Sequence, residues 1–302
     1  MTLPLPRHDL PYLYKYTSAE TAKKVISTQK FRWSSPRLFN DPFDHQTGVV
    51  FKFTGEELAL ALEKAAELAI FGDADFKLNH STKYGESLRT MRAISARLPR
   101  EEVMRDLRSA SLEMARNFPR LCEEFNTAIT SFLTHSRVLC LTETPDNVVM
   151  WSLYANEHRG TVFKLRRLEQ LDHRFLVARN VVYTDEPVSY LTLQEYVENL
   201  VGASIHDPAS RIWEIAYLKH RDWAYEREWR IHMPLLEKPA GVGFSDLDEP
   251  KELFEAIYLA CRMEPETVAD ITRLMREHLP ETEIYQARKC LDRIRLRLER
   301  VG

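Results

Sequence analysis

Glycine and long apolar runs are both scarce in this chain of 302 residues. It contains nine glycines, and none stands in a glycine-rich loop of the kind that cradles a phosphate at the start of a helix. No apolar run approaches the roughly 20 residues that cross a membrane, and the opening residues MTLPLPRHDLPYLYKY lack the apolar stretch of a secretory signal. These absences argue against a Rossmann or phosphate-loop fold. They also predict a cytoplasmic protein with no membrane partner.

Cysteine is also rare, and no two cysteines are spaced as C-x-x-C. We expect free thiols in a reducing compartment rather than disulfides or a metal site at the four positions Cys122, Cys140, Cys261 and Cys290. No H-E-x-x-H or G-x-S-x-G motif occurs either. The net charge of −3 provides no overall basic field for nucleic acid.

The chain divides by pattern into a helical block and two mixed segments. Residues 54–135 carry helical periodicity and helix-forming composition throughout, as in GEELALALEKAAELAIFG. Residues 1–53 and 136–302 interleave strands and helices without a regular βαβ rhythm. We therefore predict an α+β core formed by 1–53 and 136–302, interrupted by a helical insertion at 54–135.

Two early clusters are more polar and aromatic than a core requires. In YLYKYTS, Tyr14 and Tyr16 share one strand face while Lys15 points to the other. FNDPFDHQ is a turn, because a residue before proline avoids the helical region and Asn and Asp bond nearby backbone amides. Both clusters have purely structural explanations, as tyrosines packed with wet hydroxyls and as turn caps.

Two later clusters complete the set. In LTETPDNVVMWSLYANEHRG, Thr142 and Thr144 end a strand, and Trp151, Tyr154 and His158 follow at the i, i+3, i+7 spacing of one helix face. Such a stripe usually belongs to a core, although an apolar core seldom needs a histidine.

The last cluster, WAYEREWRIHM, is the most unusual. Glu226 and Glu228 have the i, i+2 spacing that sends both carboxylates to one face of a strand, where they repel unless cations such as Arg227 and Arg230 offset them. A solvated edge strand with salt bridges is the structural alternative.

These motifs, in this order, resemble the bacterial domain-of-unknown-function family 2971 (DUF2971). The family shares an early Tyr-Lys/Arg-Tyr strand, FNDPFD, a central Met-Trp-x-x-Tyr before a histidine and a glycine, and Tyr-Glu-x-Glu-Trp-Arg; this chain has LYKYTS, FNDPFD, MWSLYANEHRG and YEREWR. The layout is also similar to that of ADP-ribosyltransferases, in which a polar first strand, a Ser/Thr-rich strand and a late Glu-x-Glu strand form the site. This chain departs from that pattern at the first strand, where Lys15 or a tyrosine stands in place of arginine or histidine.

The second resemblance implies a split, mixed or antiparallel β core and NAD as a substrate, with no metal. Glu228 would stabilise the positive ribose and Glu226 would orient or deprotonate the acceptor. The implied NAD-binding residues are Tyr14, Lys15, Tyr16, Ser34, Asn40, Thr142, Thr144, Trp151, Tyr154, His158 and Arg230. The expected biological role is a bacterial toxin or antiviral defence effector that modifies RNA, DNA or protein and is controlled by an antitoxin or regulatory protein.

Two alternatives stay open on the sequence alone. A metal-dependent nuclease or phosphodiesterase could use the hard oxygen and nitrogen ligands of Asp41, Asp44, His45, Glu226 and Glu228. A non-catalytic module could instead bind a nucleotide or a partner through the same polar face.

Overall fold

The structure is a computed structural model that describes residues 7–72, 78–207, 209–235 and 243–301. The chain forms two compact units. The first comprises Met1–Asp44, Leu133–Asp185 and Tyr217–Gly302, and the second comprises His45–Phe132 and Glu186–Ala216. Among the described residues, no helix is long and apolar enough to span a bilayer.

A ten-stranded sheet is the frame of the first unit. Its strands are β1 (Tyr12–Thr17), β2 (Lys30–Ser34), β4 (Ser136–Thr142), β5 (Thr161–Arg166), β6 (Arg179–Asn180), β10 (Glu228–Pro234), β11 (Phe244–Asp248), β12 (Phe254–Leu259), β13 (Glu283–Lys289) and β14 (Leu296–Arg300). The main path through the sheet runs β11-β2-β4-β1-β5-β12-β13-β14, and β10 pairs with β4 and with β6. Two short strands of the same unit, β7 (Val182–Tyr183) and β9 (Leu218–Lys219), form a separate parallel pair.

The sheet forks at β4. One edge of β4 pairs with β10 along its whole length, from Ser136 to Thr142. The other edge meets two different strands, β2 at Val138 and β1 at Thr142, with one residue pair each. From that edge the sheet continues as two branches, so β1 and β2 part from each other between Thr142 and Val138.

Helices α1 (Ala19–Thr28) and α8 (Pro265–His278) pack on one face of this sheet. Helix α1 begins at Ser18, whose hydroxyl accepts from the Thr21 amide as an N-cap, and its apolar residues at helical spacing enter the core. The core joins side chains of both helices to inward residues of the strands, among them Leu13, Phe31, Leu139, Phe163, Ile231 and Ile257.

The opposite face of the sheet carries a smaller apolar cluster beside a group of polar residues. Helix α5 (Val148–Leu153) supplies Met150 and Trp151 to this cluster, which also contains Tyr16 and Tyr258. Strand alternation sorts β10 between the two faces: Ile231 lies in the core beneath α1 and α8, while Glu228 and Arg230 point the other way.

The second unit is mainly helical. It contains α2 (Gly55–Phe71), α3 (Lys83–Ala93), α6 (Leu193–Val201), α7 (Ala209–Ile215) and most of α4 (Arg100–Thr134), with a two-strand pair of β3 (Val49–Val50) and β8 (Val188–Ser189). Capping boxes start α2 at Thr54 and α6 at Thr192. The helices predicted within residues 54–135 are therefore present, and the chain has the mixed α+β fold that the sequence predicts.

A left-handed turn follows α5. Asn156, Glu157 and His158 have φ angles of 46°, 52° and 64° in succession. The left-handed backbone conformation costs a residue other than glycine roughly 1–2 kcal/mol. Three consecutive residues in this conformation therefore require strong support from their surroundings. The helix predicted to carry Trp151, Tyr154 and His158 on one face ends at Leu153, so the predicted helical stripe is wrong at His158.

Candidate functional site

Three of the sequence motifs meet in one row across the sheet. Thr142 on β4 pairs with Tyr14 on β1 and with Glu228 on β10. Directly paired residues on adjacent strands point to the same face, so these three side chains lie side by side. The row stands where the sheet forks, which leaves open space between β1 and β4.

A cavity of about 140 Å³ occupies this position. Eight of its lining residues are among those that the sequence assigned to catalysis or NAD binding: Tyr14, Lys15, Tyr16, Asn40, Thr142, Tyr154, Glu226 and Glu228. Phe39, Asp44, Cys140, Leu141, Met150 and Lys219 complete the lining. Lys15 reaches across the fork, where its ammonium donates to the Cys140 carbonyl at 2.7 Å. The ammonium thereby satisfies a carbonyl at the point where β1 and β4 have parted.

The two glutamates converge for a different reason from the one predicted. Glu226 ends the 3₁₀ helix Arg221–Glu226, and β10 begins only at Glu228, so the strand prediction is wrong at Glu226. Between them Arg227 adopts a left-handed conformation with φ 44°. This residue reverses the local twist and returns the Glu226 carboxylate to the side of Glu228.

Hydrogen bonds to the main chain hold this turn. The Thr142 hydroxyl donates to the Glu226 carbonyl at 2.6 Å, and Asn147 Nδ2 donates to the Tyr225 carbonyl at 2.9 Å. The Glu228 amide donates to the Tyr183 hydroxyl at 2.8 Å. The path of the chain through the two glutamates is therefore fixed by three neighbouring elements.

Lys219 is the cation that allows the two acids to coexist. Its Nζ lies 2.5 Å from Glu226 Oε2 and 3.0 Å from Glu228 Oε2. Tyr183 on β7 pairs with Lys219 on β9, and the Tyr183 hydroxyl accepts a hydrogen bond from the Glu228 amide. These two short strands therefore set the position of the lysine relative to Glu228. The sequence interpretation missed Lys219, because no periodicity marks a residue on a two-residue strand. The only available signal was a lysine among apolar residues in IAYLKH.

Arg230 binds the other side of Glu228. Its Nε lies 2.7 Å from Glu228 Oε1, and its NH1 and NH2 lie 2.8 and 2.6 Å from the two oxygens of Asp44. Arginine favours such fork-shaped contacts with carboxylates. Arg230 is fully buried, and from behind the cavity wall it fixes Asp44 and Glu228, which line the cavity.

The cluster as a whole holds more acids than cations. Asp44, Glu226 and Glu228 face Lys219 and Arg230, and all five side chains are buried. With every group ionised, three negative charges would meet two positive charges, a surplus of one. Burying an uncompensated charge costs several kcal/mol by the usual order of magnitude, so the surplus favours protonation of one acid.

The pKa values of the two glutamates are shifted in opposite directions. Burial raises the pKa of Glu226, and the charge of Glu228 adds to the rise, while Lys219 and the Tyr154 hydroxyl offset it only in part. Burial also acts to raise the pKa of Glu228, but Arg230 and Lys219 outweigh it and hold that pKa well below the ordinary value. Neighbouring acids with pKa values moved apart are typical of an acid–base pair.

Tyr154 lines the same cavity as Glu226 and hydrogen-bonds to it. Its hydroxyl donates to Glu226 Oε1 at 2.5 Å, and burial followed by the charge of Glu226 raises the pKa of this tyrosine. Asn40 also hydrogen-bonds to the Tyr154 side chain. A neutral tyrosine and an amide thus frame the carboxyl that carries the raised pKa.

The remaining residues singled out from the sequence occupy supporting positions. Trp151 is 0% exposed, packs edge to face against Tyr16 at 5.4 Å between ring centroids, and donates from Nε1 to the Pro145 carbonyl. The Thr144 carbonyl accepts from the Tyr16 hydroxyl at 3.1 Å. In the described ranges, the residues that line the cavity do not include Ser34, Thr144, Trp151, His158 or Arg230.

The acidic turn FNDPFDHQ differs from a cluster of metal ligands. Asp41 Oδ1 accepts from the Phe43 amide at 2.9 Å, which is the turn-capping role, and Asp44 is bound by Arg230. His45 belongs to the second compact unit. Within the part of the chain that the structure describes, no group of three or more His, Cys, Asp or Glu side chains is arranged to hold a metal ion.

One comparison with known proteins identifies a family. Residues 150–231 match the model of a family described as "Protein of unknown function (DUF2971)". Over these residues, which we call the DUF2971 segment, the chain is similar to that family. The family indicated by the sequence motifs is thereby confirmed for this segment. No curated protein and no solved structure matches the chain.

The DUF2971 segment contains the charged half of the site. Tyr154, Lys219, Glu226, Glu228 and Arg230 fall inside the matched residues, whereas Tyr14, Asn40 and Thr142 precede them. The segment therefore brings the acid–base pair and its cations, and the earlier strands bring the opposite wall.

Proposed function

We propose that this DUF2971 protein is an NAD-dependent ADP-ribosyltransferase whose site is the cavity at the fork of the sheet. The observation that carries the proposal is the convergence of Glu226 and Glu228 on Lys219 at that cavity, with opposite shifts in the pKa values of the two acids. Two carboxyls whose pKa values are moved apart suit a reaction that needs both a lasting anion and a stronger proton acceptor.

The reaction breaks the bond between the nicotinamide nitrogen and the ribose C1′ carbon. The bonding electron pair leaves with nicotinamide and neutralises its positive ring nitrogen, while C1′ develops positive charge. Glu228 remains ionised across a wide pH range and stabilises this charge electrostatically.

The acceptor then forms its bond to C1′ and loses a proton. Glu226 takes that proton in its ionised form, because its raised pKa makes it the better base of the two. Lys219 lies within hydrogen-bond distance of both acids, so it acts as a positioning residue that keeps the two functions apart.

The rest of the cavity suits a nicotinamide ribose. Tyr14, Tyr16, Phe39 and Tyr154 give it aromatic walls on which a flat ring can stack, and Asn40 and Thr142 offer polar contacts. Lys15 supplies a point charge where arginine or histidine is usual in these enzymes.

The strand arrangement also supports the proposal. ADP-ribosyltransferases are expected to bring three motif strands together at a split β core. Here the three motif strands β1, β4 and β10 are neighbours, and β1 and β4 part beyond a single pair. We extend the proposal to a bacterial toxin or antiviral effector with an RNA, DNA or protein acceptor and a regulatory partner, on the basis of family resemblance.

The test is transfer of label from NAD. The purified protein is incubated with NAD labelled in its adenylate half and, separately, with total bacterial RNA, DNA or protein. We expect one acceptor class to become labelled, Glu228→Ala to abolish labelling, and Asn40→Ala to raise the NAD concentration needed for half-maximal labelling. Because Asn40 is exposed, the second variant should fold normally. Absence of labelling by the folded wild-type protein with all three acceptors contradicts the proposal.

A further inference from the structure

We propose a second binding site, independent of the first, that holds the phosphate groups of a nucleotide-type ligand. It is a cavity of about 580 Å³ in the first unit, lined in part by Arg262, Lys289, Arg293 and Arg295. We refer to it as the basic cavity, defined by these four cations. It is bounded by the residues that follow β12 and by the turn between β13 and β14.

The lining of the basic cavity is positively charged, whereas the chain as a whole is negatively charged. Four lining residues are Arg or Lys and one, Asp292, is acidic, whereas the whole chain carries −3. Asp292 lies 3.9 Å from Arg293. In the described residues, the side chains of Arg262, Lys289 and Arg295 form no ion pair, although most other arginines of the first unit do. Unpaired cations around one cavity repel each other and favour an anionic occupant.

The left-handed turn at Asn156, Glu157 and His158 contacts the backbone of one of these four residues. The carbonyl of His158, the last residue of the left-handed turn, accepts from the Arg262 amide at 2.9 Å. His158 also lines the basic cavity, and its Nε2 contacts the Ser152 hydroxyl at 3.1 Å. Unfavourable backbone conformations persist where the surroundings fix them, and they concentrate at binding sites. The turn therefore gives a physical reason for the fixed position of the Arg262 backbone.

The apolar part of the lining restricts the class of ligand. Leu291 and Ile294 are fully exposed at the turn between β13 and β14, and Val148 is 41% exposed. The lining contains no Phe, Tyr or Trp among the described residues, so bases are not stacked on aromatic rings there. We infer that phosphates bind to the cations while ribose or base edges contact the aliphatic side chains. Such binding depends on salt and only weakly on base sequence.

The experiment uses the full chain and two probes. Fluorescence anisotropy measures binding of a labelled ten-nucleotide single-stranded RNA of mixed sequence in 50 mM salt, and calorimetry measures binding of ADP. The variant Arg262→Glu/Lys289→Glu is compared with Arg97→Glu/Arg116→Glu, which makes the same change of charge at exposed arginines of the second unit. Urea unfolding curves of both variants establish that each is folded.

We expect the first variant to weaken binding at least tenfold and the control to change it less than threefold. The slope of log affinity against log salt is negative, and its magnitude should decrease by about 1.5 in the first variant, because two phosphate contacts are lost. RNA binding without ADP binding identifies a polynucleotide backbone as the source of phosphate, and ADP binding identifies a free nucleotide; both support the site.

Two results overturn it. One is no binding of either probe by the wild-type protein at 50 mM salt. The other is equal weakening by the two variants, which would indicate only a general effect of charge. Binding that persists in Glu228→Gln separates this site from the proposed transferase site.

Discussion

The ammonium of Lys219 and the carboxylate of Glu226 lie 2.5 Å apart in a buried position. Neither would be stable there alone, because each would be an uncompensated charge away from water. Glu228 completes the arrangement at 3.0 Å from the same ammonium. The two glutamates are therefore compatible because of a lysine that lies seven and nine residues before them.

Replacing Lys219 with methionine should destabilise the protein by about 3–5 kcal/mol, because it leaves two buried carboxyls without their shared cation. The added change Glu226→Gln should restore part of the loss, since one of the two orphaned acids is then neutral. Urea unfolding of the two single variants and the double variant measures the coupling. Additive losses in the double variant would show that the two groups do not interact.

Glu226 should give folding stability a specific dependence on pH. Its pKa in the folded chain lies above the ordinary value of 4.5, so between these two pKa values the folded chain binds the proton and the unfolded chain does not. Stability from this group is therefore present below pH 4.5 and is lost as the pH rises through the folded pKa.

The comparison of wild type with Glu226→Gln isolates this effect. The wild-type free energy of unfolding, minus that of the variant, should decrease as the pH is raised from 4.5. The change Glu252→Gln, which removes an exposed carboxyl outside the cavity, serves as the control for loss of a single glutamate. A difference that increases with pH would mean that the folded protein favours ionised Glu226, and a raised pKa for this carboxyl would then be wrong.

Tyr154→Phe should move the pH profile of activity. The hydroxyl of Tyr154 lowers the pKa of Glu226 by donating to it, so its removal raises that pKa further. If Glu226 acts as the base, the acidic limb of the rate profile moves to higher pH. Tyr285→Phe removes a comparable bond to Glu283 outside the cavity and should leave the limb in place. A shift to lower pH, or equal shifts in both variants, contradicts the assignment of the base.

Arg227 should tolerate glycine better than valine. Its left-handed conformation suits glycine and is unfavourable for a β-branched side chain. Both changes remove the same exposed contact with Glu143, so their difference reports on the backbone. We expect Arg227→Gly to be more stable than Arg227→Val by about 1–2 kcal/mol in urea unfolding. Equal stabilities would mean that the turn relaxes to another conformation.

The sequence predicted the α+β class and several strands of the site because local patterns carry that information. Alternating residues placed β1 and β10, and the turn residues of FNDPFD were recognisable from their chemistry. What it missed depends on long-range pairing. The row Tyr14, Thr142 and Glu228 arises from strand register, and the role of Lys219 depends on the pairing of β7 with β9.

Two local predictions failed because the backbone turns left-handed where a regular element was expected. At Arg227 this change separates Glu226 from the strand, and at Asn156 to His158 it ends the expected helix. None of these residues is glycine, which is the usual sequence signal for such a conformation. At the second turn, the Gly160 amide donates locally to the Ala155 carbonyl, and the distant Arg262 amide donates to the His158 carbonyl.

The most direct test of the central claim is nicotinamide release from NAD, monitored by proton NMR with the purified chain and its labelled acceptor class. We predict release by the wild type, loss of at least a hundredfold in rate in Glu228→Gln, and a rate within twofold of wild type in Glu252→Gln, with all three proteins shown to be folded by urea unfolding. Undiminished release in a folded Glu228→Gln would contradict the role of Glu228 as the stabilising anion.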